Sequence, residues 1–125
     1  MDNQQYEKLI EDTFKPDCPD HVLFCMVGLA GEAGEIANMA AKALRGDFTA
    51  QGLSNPSAFH EAGEGVRRAW EQREKLLGEM GGVFYYLHAL CRELGVPPET
   101  VMAMNDQKLR SRLERGVIRG DGDER

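Results

Sequence analysis

Apolar positions along the 125-residue chain recur at helical spacing between polar or glycine-rich breaks, and nowhere alternate as a strand does. Asp2 caps a first helix, with Gln5 completing a capping box, and the pattern fades near Phe14-Lys15-Pro16. Pro16-Asp17-Cys18-Pro19-Asp20 reads as a turn whose last residue caps a second helix, from about His21 to Leu44, stopping at Gly46. Residues 46–56, with Gly46, Gly52, Ser54, Asn55 and Pro56, read as a loop. Asn55 and Pro56 then open a third helical stretch, as cap and first helical position, running towards Leu94 and Gly95. Its glycines at 63, 65, 78, 81 and 82 mark sites for a kink or break. Pro98 opens a fourth helix that ends near Gly116, and residues 117–125 form a Gly- and Asp-rich tail. The pattern predicts an all-α fold, a helical bundle of about four helices, in one domain over residues 1–125.

The second helix is apolar nearly all round. At about 100° per residue, Val22, Met26, Leu29, Ala33, Ile36, Ala37, Ala40 and Leu44 cover one broad face. Glu32, Glu35 and Lys42 fall on the narrower opposite side, beside Gly28 and Gly31. A helical glycine costs about 1 kcal/mol relative to alanine. Gly28, Gly31 and Gly34 in one helix therefore point to close approach of a neighbouring backbone, or to space for a ligand beside the carboxylates.

Composition changes this picture little. With 42% hydrophobic and 29% charged residues the chain is of ordinary globular type, and no run of apolar residues approaches the length of a membrane span. The polar start, Met1 to Gln5, does not read as a signal peptide, and three cysteines, an odd number, suit reduced thiols. A cytoplasmic location without a membrane partner follows as the expectation. Cys18, His21 and Cys25 have a spacing loosely suggestive of zinc, but with no matching fourth ligand a turn cysteine and two helix residues is the better reading. The net charge of −6 argues against nucleic acid as a partner. Charge is uneven, however: Lys108, Arg110, Arg112, Arg115 and Arg119 stand against Glu114 alone, which suits a small anionic ligand or a solvated helix end.

Three groups of residues carry candidate chemistry. Glu32 and Glu35, on adjacent turns, repel by a few tenths of a kcal/mol if solvated. Set in a glycine-marked apolar helix they suggest burial, which is costly for carboxylates unless they are paired or bind metal. Their hard oxygens favour Mg²⁺ or Mn²⁺. Glu79 is the lone carboxylate in the apolar segment Leu76 to Leu87, and shares a face with Gly82 and Tyr86. Asn105, Lys108 and Arg112, at i, i+3 and i+7, project from one side of the fourth helix, as groups that bind phosphate oxygens or as an exposed basic stripe.

In order along the chain, Gly28-Leu29-Ala30-Gly31-Glu32-Ala33-Gly34-Glu35-Ile36, Glu79-Met80-Gly81-Gly82-Val83-Phe84-Tyr85-Tyr86-Leu87, and Asn105-Asp106-Gln107-Lys108-Leu109 with Arg112 resemble the MazG-like family of all-α nucleoside triphosphate pyrophosphohydrolases. The closing Gly120-Asp121-Gly122-Asp123-Glu124-Arg125 is similar to the tail of some members. The resemblance runs from Tyr6 onward, except for about residues 46–75, a stretch that looks longer than usual. It implies Mg²⁺, or Mn²⁺, held by Glu32, Glu35 and Glu79. Glu35 would orient or deprotonate the attacking water, and Lys42, Asn105, Lys108 and Arg112 would hold the substrate's phosphates. It also implies assembly as a homodimer or homotetramer. The family pattern is Glu-x-x-Glu on one helix and Glu-x-x-Asp on the next. Gly82 stands where that aspartate is expected, a departure that removes a metal ligand.

Three functional readings follow. The first is hydrolysis of an NTP or dNTP to the monophosphate and pyrophosphate. The second is a nucleotide-binding protein whose catalysis is impaired by Gly82. The third is a helical partner protein in which Glu32 and Glu35 are merely solvated.

Overall fold

A computed structural model describes residues 1–58 and 64–120. Among the described residues all regular structure is helical, so the fold is all-α. In chain order the helices are α1 (Asn3–Thr13), α2 (His21–Leu44), α3 (Ala50–Ser54), a short 3₁₀ turn (Pro56–Ala58), α4 (Glu64–Glu93) and α5 (Pro98–Glu114). The chain divides into two compact units, Met1–Leu90 and Cys91–Arg125.

Local chemistry accounts for most helix ends. The Asp2 carboxylate accepts from the Gln5 amide at 2.9 Å, and the Gln5 side chain accepts from the Asp2 amide at 2.9 Å, closing the capping box. The Asp20 carboxylate caps α2 by accepting from the Leu23 amide at 3.0 Å. Gly46, Gly95 and Gly116 follow α2, α4 and α5 with φ of +90°, +69° and +69°, the left-handed region in which glycine ends a helix without a Cβ penalty.

Two expectations need correction. The loop at 46–56 contains α3, whose Thr49 side chain accepts from the Gly52 amide, and Arg73 of α4 donates to the Leu53 carbonyl at 2.6 Å. A cap and one long-range hydrogen bond override a composition that reads as loop. Asn55-Pro56 opens only the 3₁₀ turn; how that turn leads into α4, and Gly63, lie outside the described residues. From Glu64 onward α4 is unbroken through Gly65, Gly78, Gly81 and Gly82.

The core of the first unit is Ile10 and Phe14 from α1, Cys25 from α2 and Ala89 from α4, with Tyr6, Tyr85 and Leu90 against it. Phe14 meets the rings of His21, Phe24 and Tyr85 at centroid distances of 5.8, 6.0 and 6.4 Å. The Thr13 and Tyr85 hydroxyls lie 3.1 Å apart and tie α1 to α4.

Helix α2 is turned part of the way round from its expected orientation. Cys25 and Met39 are buried and Gly28 and Glu32 half-buried; of the predicted apolar face Val22, Leu29 and Ile36 are half-buried, whereas Met26, Ala33, Ala37, Ala40 and Leu44 are exposed. Close contacts decide it: the Tyr86 ring lies directly over Gly28, and the Glu32 carboxylate lies directly against Gly82. A helix apolar on nearly every side offers no clear inward stripe, so the side able to admit a ring and seat a carboxylate faces inward. By length and composition this 24-residue helix is also long and apolar enough to cross a membrane, which corrects the expectation drawn from apolar runs. Only Glu32, Glu35 and Lys42 interrupt it with charge after His21.

Candidate metal and phosphate site

The pairs Gly28–Tyr86 and Glu32–Gly82 fix the relation of α2 to α4. Four residues forward on α2 correspond to four residues back on α4, so the helices run antiparallel with a defined register. Gly28 is glycine because the Tyr86 ring occupies the volume of a Cβ, and Gly82 is glycine because the Glu32 side chain does. Among the described residues nothing lies within 4 Å of a Cβ built at Gly31 or Gly34.

This arrangement revises the meaning of Gly82. The position where an aspartate is expected is the seat of the Glu32 carboxylate, so a carboxylate stands against that point of α4 although α4 does not supply it. Glu32 is half-buried, Glu79 on α4 is half-buried, and Glu35 is exposed. Among the described residues no three His, Cys, Asp or Glu side chains converge closely enough to hold a metal ion by themselves. The candidate ligands are therefore spread along the α2–α4 seam rather than gathered in a closed cage.

Lys42 is half-buried in the last turn of α2. It stands seven residues beyond Glu35, about 10 Å along the axis. Cys18 and Cys25 carry thiols, and His21 packs edge-on to Phe14.

In the second unit, Asn105 and Lys108 of α5 line a hollow of about 450 Å³ together with Val101, Met102 and Met104. Arg112, expected on the same phosphate-binding side, is instead buried, with 5% of its surface exposed. Arg110 binds the Asp106 carboxylate through Nε at 2.8 and 2.9 Å, which raises its pKa further and leaves it locally neutralised. The tail from 121 to 125 lies outside the described residues.

One group escaped the sequence reading. His88 is buried on α4, its Nδ1 lies 3.4 Å from Glu7 Oε1 on α1, and the Tyr6 ring stands edge-on to it at 4.9 Å. The available signal was a lone imidazole inside the otherwise apolar and aromatic run from Val83 to Leu90. Its partner is 81 residues away, so no local pattern joins the two.

No protein-family model and no solved structure matches the chain. The Gene 37 protein of Mycobacterium phage L5 is 38% identical over 109 residues, covering 87% of this chain and 81% of that relative. The relative's name states no activity. At that identity and coverage the chain belongs to the family of the phage L5 Gene 37 protein.

Proposed function

We propose that the protein is a MazG-like nucleoside triphosphate pyrophosphohydrolase, splitting an NTP or dNTP into the monophosphate and pyrophosphate. The observation that carries this reading is the Glu32 carboxylate seated against Gly82. Continuing that register by one turn brings position 35 of α2 level with position 79 of α4, so the three acidic positions follow one seam. Mg²⁺ keeps several waters and commonly takes only one or two protein carboxylates besides phosphate oxygens. A dispersed set of hard oxygen donors, Glu32, Glu35 and Glu79, fits that habit, and Mn²⁺ fits the same donors. When bound, the metal neutralises phosphate charge and lowers the pKa of water.

The chain's own residues do the rest. Glu35, exposed and one turn from Glu32, accepts a proton from the attacking water. Lys42 meets phosphate oxygens as negative charge grows on the leaving pyrophosphate. Within the second unit Asn105 and Lys108 offer an amide and an ammonium suited to phosphate oxygens, and the burial of Arg112 suits a role in fixing α5 as well as in binding anion. A second copy covering the exposed side of α2 gives the homodimer or homotetramer of this reading. The three cysteine thiols suit a reducing, cytoplasmic setting.

The test is pyrophosphate release from a panel of NTPs and dNTPs with Mg²⁺ or Mn²⁺. Release from at least one is expected, and Glu35→Gln should lower kcat about 100-fold or more, as for loss of a general base. Folded protein that turns over none of them rules the activity out.

A second reading, nucleotide binding with impaired catalysis, rests on the missing aspartate at position 82. On that reading Gly82→Asp raises turnover. The seat of Glu32 argues for the opposite sign, because any side chain at 82 displaces that carboxylate. A faster Gly82→Asp enzyme favours the second reading; a slower one favours the first.

A further inference from the structure

The first unit holds a cavity of about 150 Å³ between α3 and the first turns of α4. Its apolar walls are Phe48, Gly52, Leu53, Gly65 and Ala69, of which Gly52 and Ala69 are buried. The Thr49 side chain caps α3, and Arg73 of α4 donates to the Leu53 carbonyl at 2.6 Å, so the α3 wall is fixed by the fold itself. An apolar cavity of this volume takes one ring of the size of benzene, and a fused double ring overfills it.

Arg68 and Gln72 add a guanidinium and an amide to the lining, and Asp47 adds a carboxylate whose charge is met by Arg45 at 3.3 Å. Mostly apolar walls with a few polar groups suit a flat ring that has hydrogen-bonding groups on its edge. The cavity's place in the fold ties it to the acidic seam. Helix α4 is unbroken from Glu64 to Glu93. At about 100° per residue Arg68, Gln72 and Glu79 share one stripe of it, with Gln72 seven residues, about 10 Å, before Glu79. The register that sets position 35 level with position 79 sets Lys42 level with Gln72. Helical side chains lean towards the N-terminus of their own helix, which carries Lys42 back towards Glu35.

A nucleotide whose phosphates lie at the acids therefore passes Lys42 with its phosphate chain and reaches the cavity with its base. We propose that this cavity takes the base of the nucleotide substrate and, by its volume, selects a pyrimidine over a purine. The inference rests on the pyrophosphohydrolase reading and deepens it. Phe48 and Leu53 contact the ring, and Gln72, whose amide both donates and accepts, is the residue that distinguishes ring edges.

The test takes two measurements on the full chain with Mg²⁺: kcat/KM for pyrophosphate release from CTP, UTP, ATP and GTP, and binding of the four monophosphates by NMR titration. Pyrimidine nucleotides should be favoured roughly tenfold or more in both, the discrimination a shaped apolar pocket gives. Gly65 supplies the decisive variant. Among the described residues nothing lies within 4 Å of a Cβ built there, so Gly65→Leu adds a side chain at the cavity wall without a clash. It should melt no lower than the natural protein and should erase the pyrimidine preference. Should it not fold, Gln72→Leu, at a half-buried position, should lower the preference several-fold. Turnover that uses purines and pyrimidines equally, or a preference that these variants leave intact, overturns the cavity assignment and leaves the hydrolase reading standing. Pyrimidine-selective binding without turnover of any triphosphate overturns the hydrolase reading and supports the cavity as a base site. Neither binding nor turnover overturns both.

Discussion

At the scale of single residues, Gly28 of α2 and Gly82 of α4, which meet side chains, behave differently from Gly31 and Gly34 of α2, which meet nothing within contact distance among the described residues. Gly82→Ala sets a methyl group where the Glu32 carboxylate lies, and Gly28→Ala does the same to the Tyr86 ring. Gly28→Ala is expected to cost about 1–3 kcal/mol in urea denaturation, the usual penalty of overpacking, whereas Gly82→Ala should cost less because the end of the flexible Glu32 side chain can swing aside. Gly31→Ala meets nothing, and should stabilise by about 0.5–1 kcal/mol through helix propensity alone. If Gly28→Ala and Gly31→Ala shift stability the same way, the α2–α4 contact at Tyr86 described above is wrong. Tyr6 gives a pH signature. Burial, and secondarily the neighbouring Tyr85, hold its phenol above the ordinary value of 10.0. The folded state therefore keeps the Tyr6 proton longer than the unfolded chain does. That contribution to stability is complete below pH 10 and is lost as pH rises through the higher folded value. Alkaline unfolding of Tyr6→Phe should be less steep than that of the natural protein, measured by circular dichroism across pH 9–12.

At the scale of elements, what the sequence discloses depends on how local the cause is. The limits of α2 and the capping box of α1 rest on residues within four positions of one another, and Asp2, Gln5, Asp20 and Gly46 declare them. Asp2→Ala should cost about 1 kcal/mol of that cap in thermal or denaturant melts. Ile10→Ala should cost about 2–5 kcal/mol, because Ile10 is fully buried where α1 meets α2 and α4. Helix α3 was hidden by Gly52 and Ser54, which read as loop residues; its support from Arg73 comes from 20 positions away. The facing of α2 was hidden for a different reason. Its apolar residues leave both sides eligible, and the contacts that choose between them, with Tyr86 and Gly82, depend on a helix 50 residues further on. The acidic residues of the candidate site could be named from sequence, whereas the seat of Glu32 on Gly82 could not, because a glycine shows only that something comes close and not what it is.

At the scale of the whole molecule, the outward side of α2 is the largest consequence of that turned facing. Leu23, Met26, Val27 and Leu44 expose between 52% and 89% of their surface. Contiguous apolar surface of this kind marks an interaction site on most proteins. With a second copy as the occupant, sedimentation equilibrium should find an oligomer. Val27→Glu should dissociate it while altering the stability of the isolated chain by less than about 0.5 kcal/mol, as for other exposed positions. A monomer at every concentration removes oligomerisation from the proposed function. The inward side has another consequence. Each of its two notches is cut in a different helix, and each receives a side chain from the other. Sliding the pair by one turn would drive Tyr86 towards the position of Glu32 and take each notch away from the side chain it receives. The helices are thus keyed like a lock with two pins, and the spacing between acids on facing helices is set by two residues that have no side chain at all.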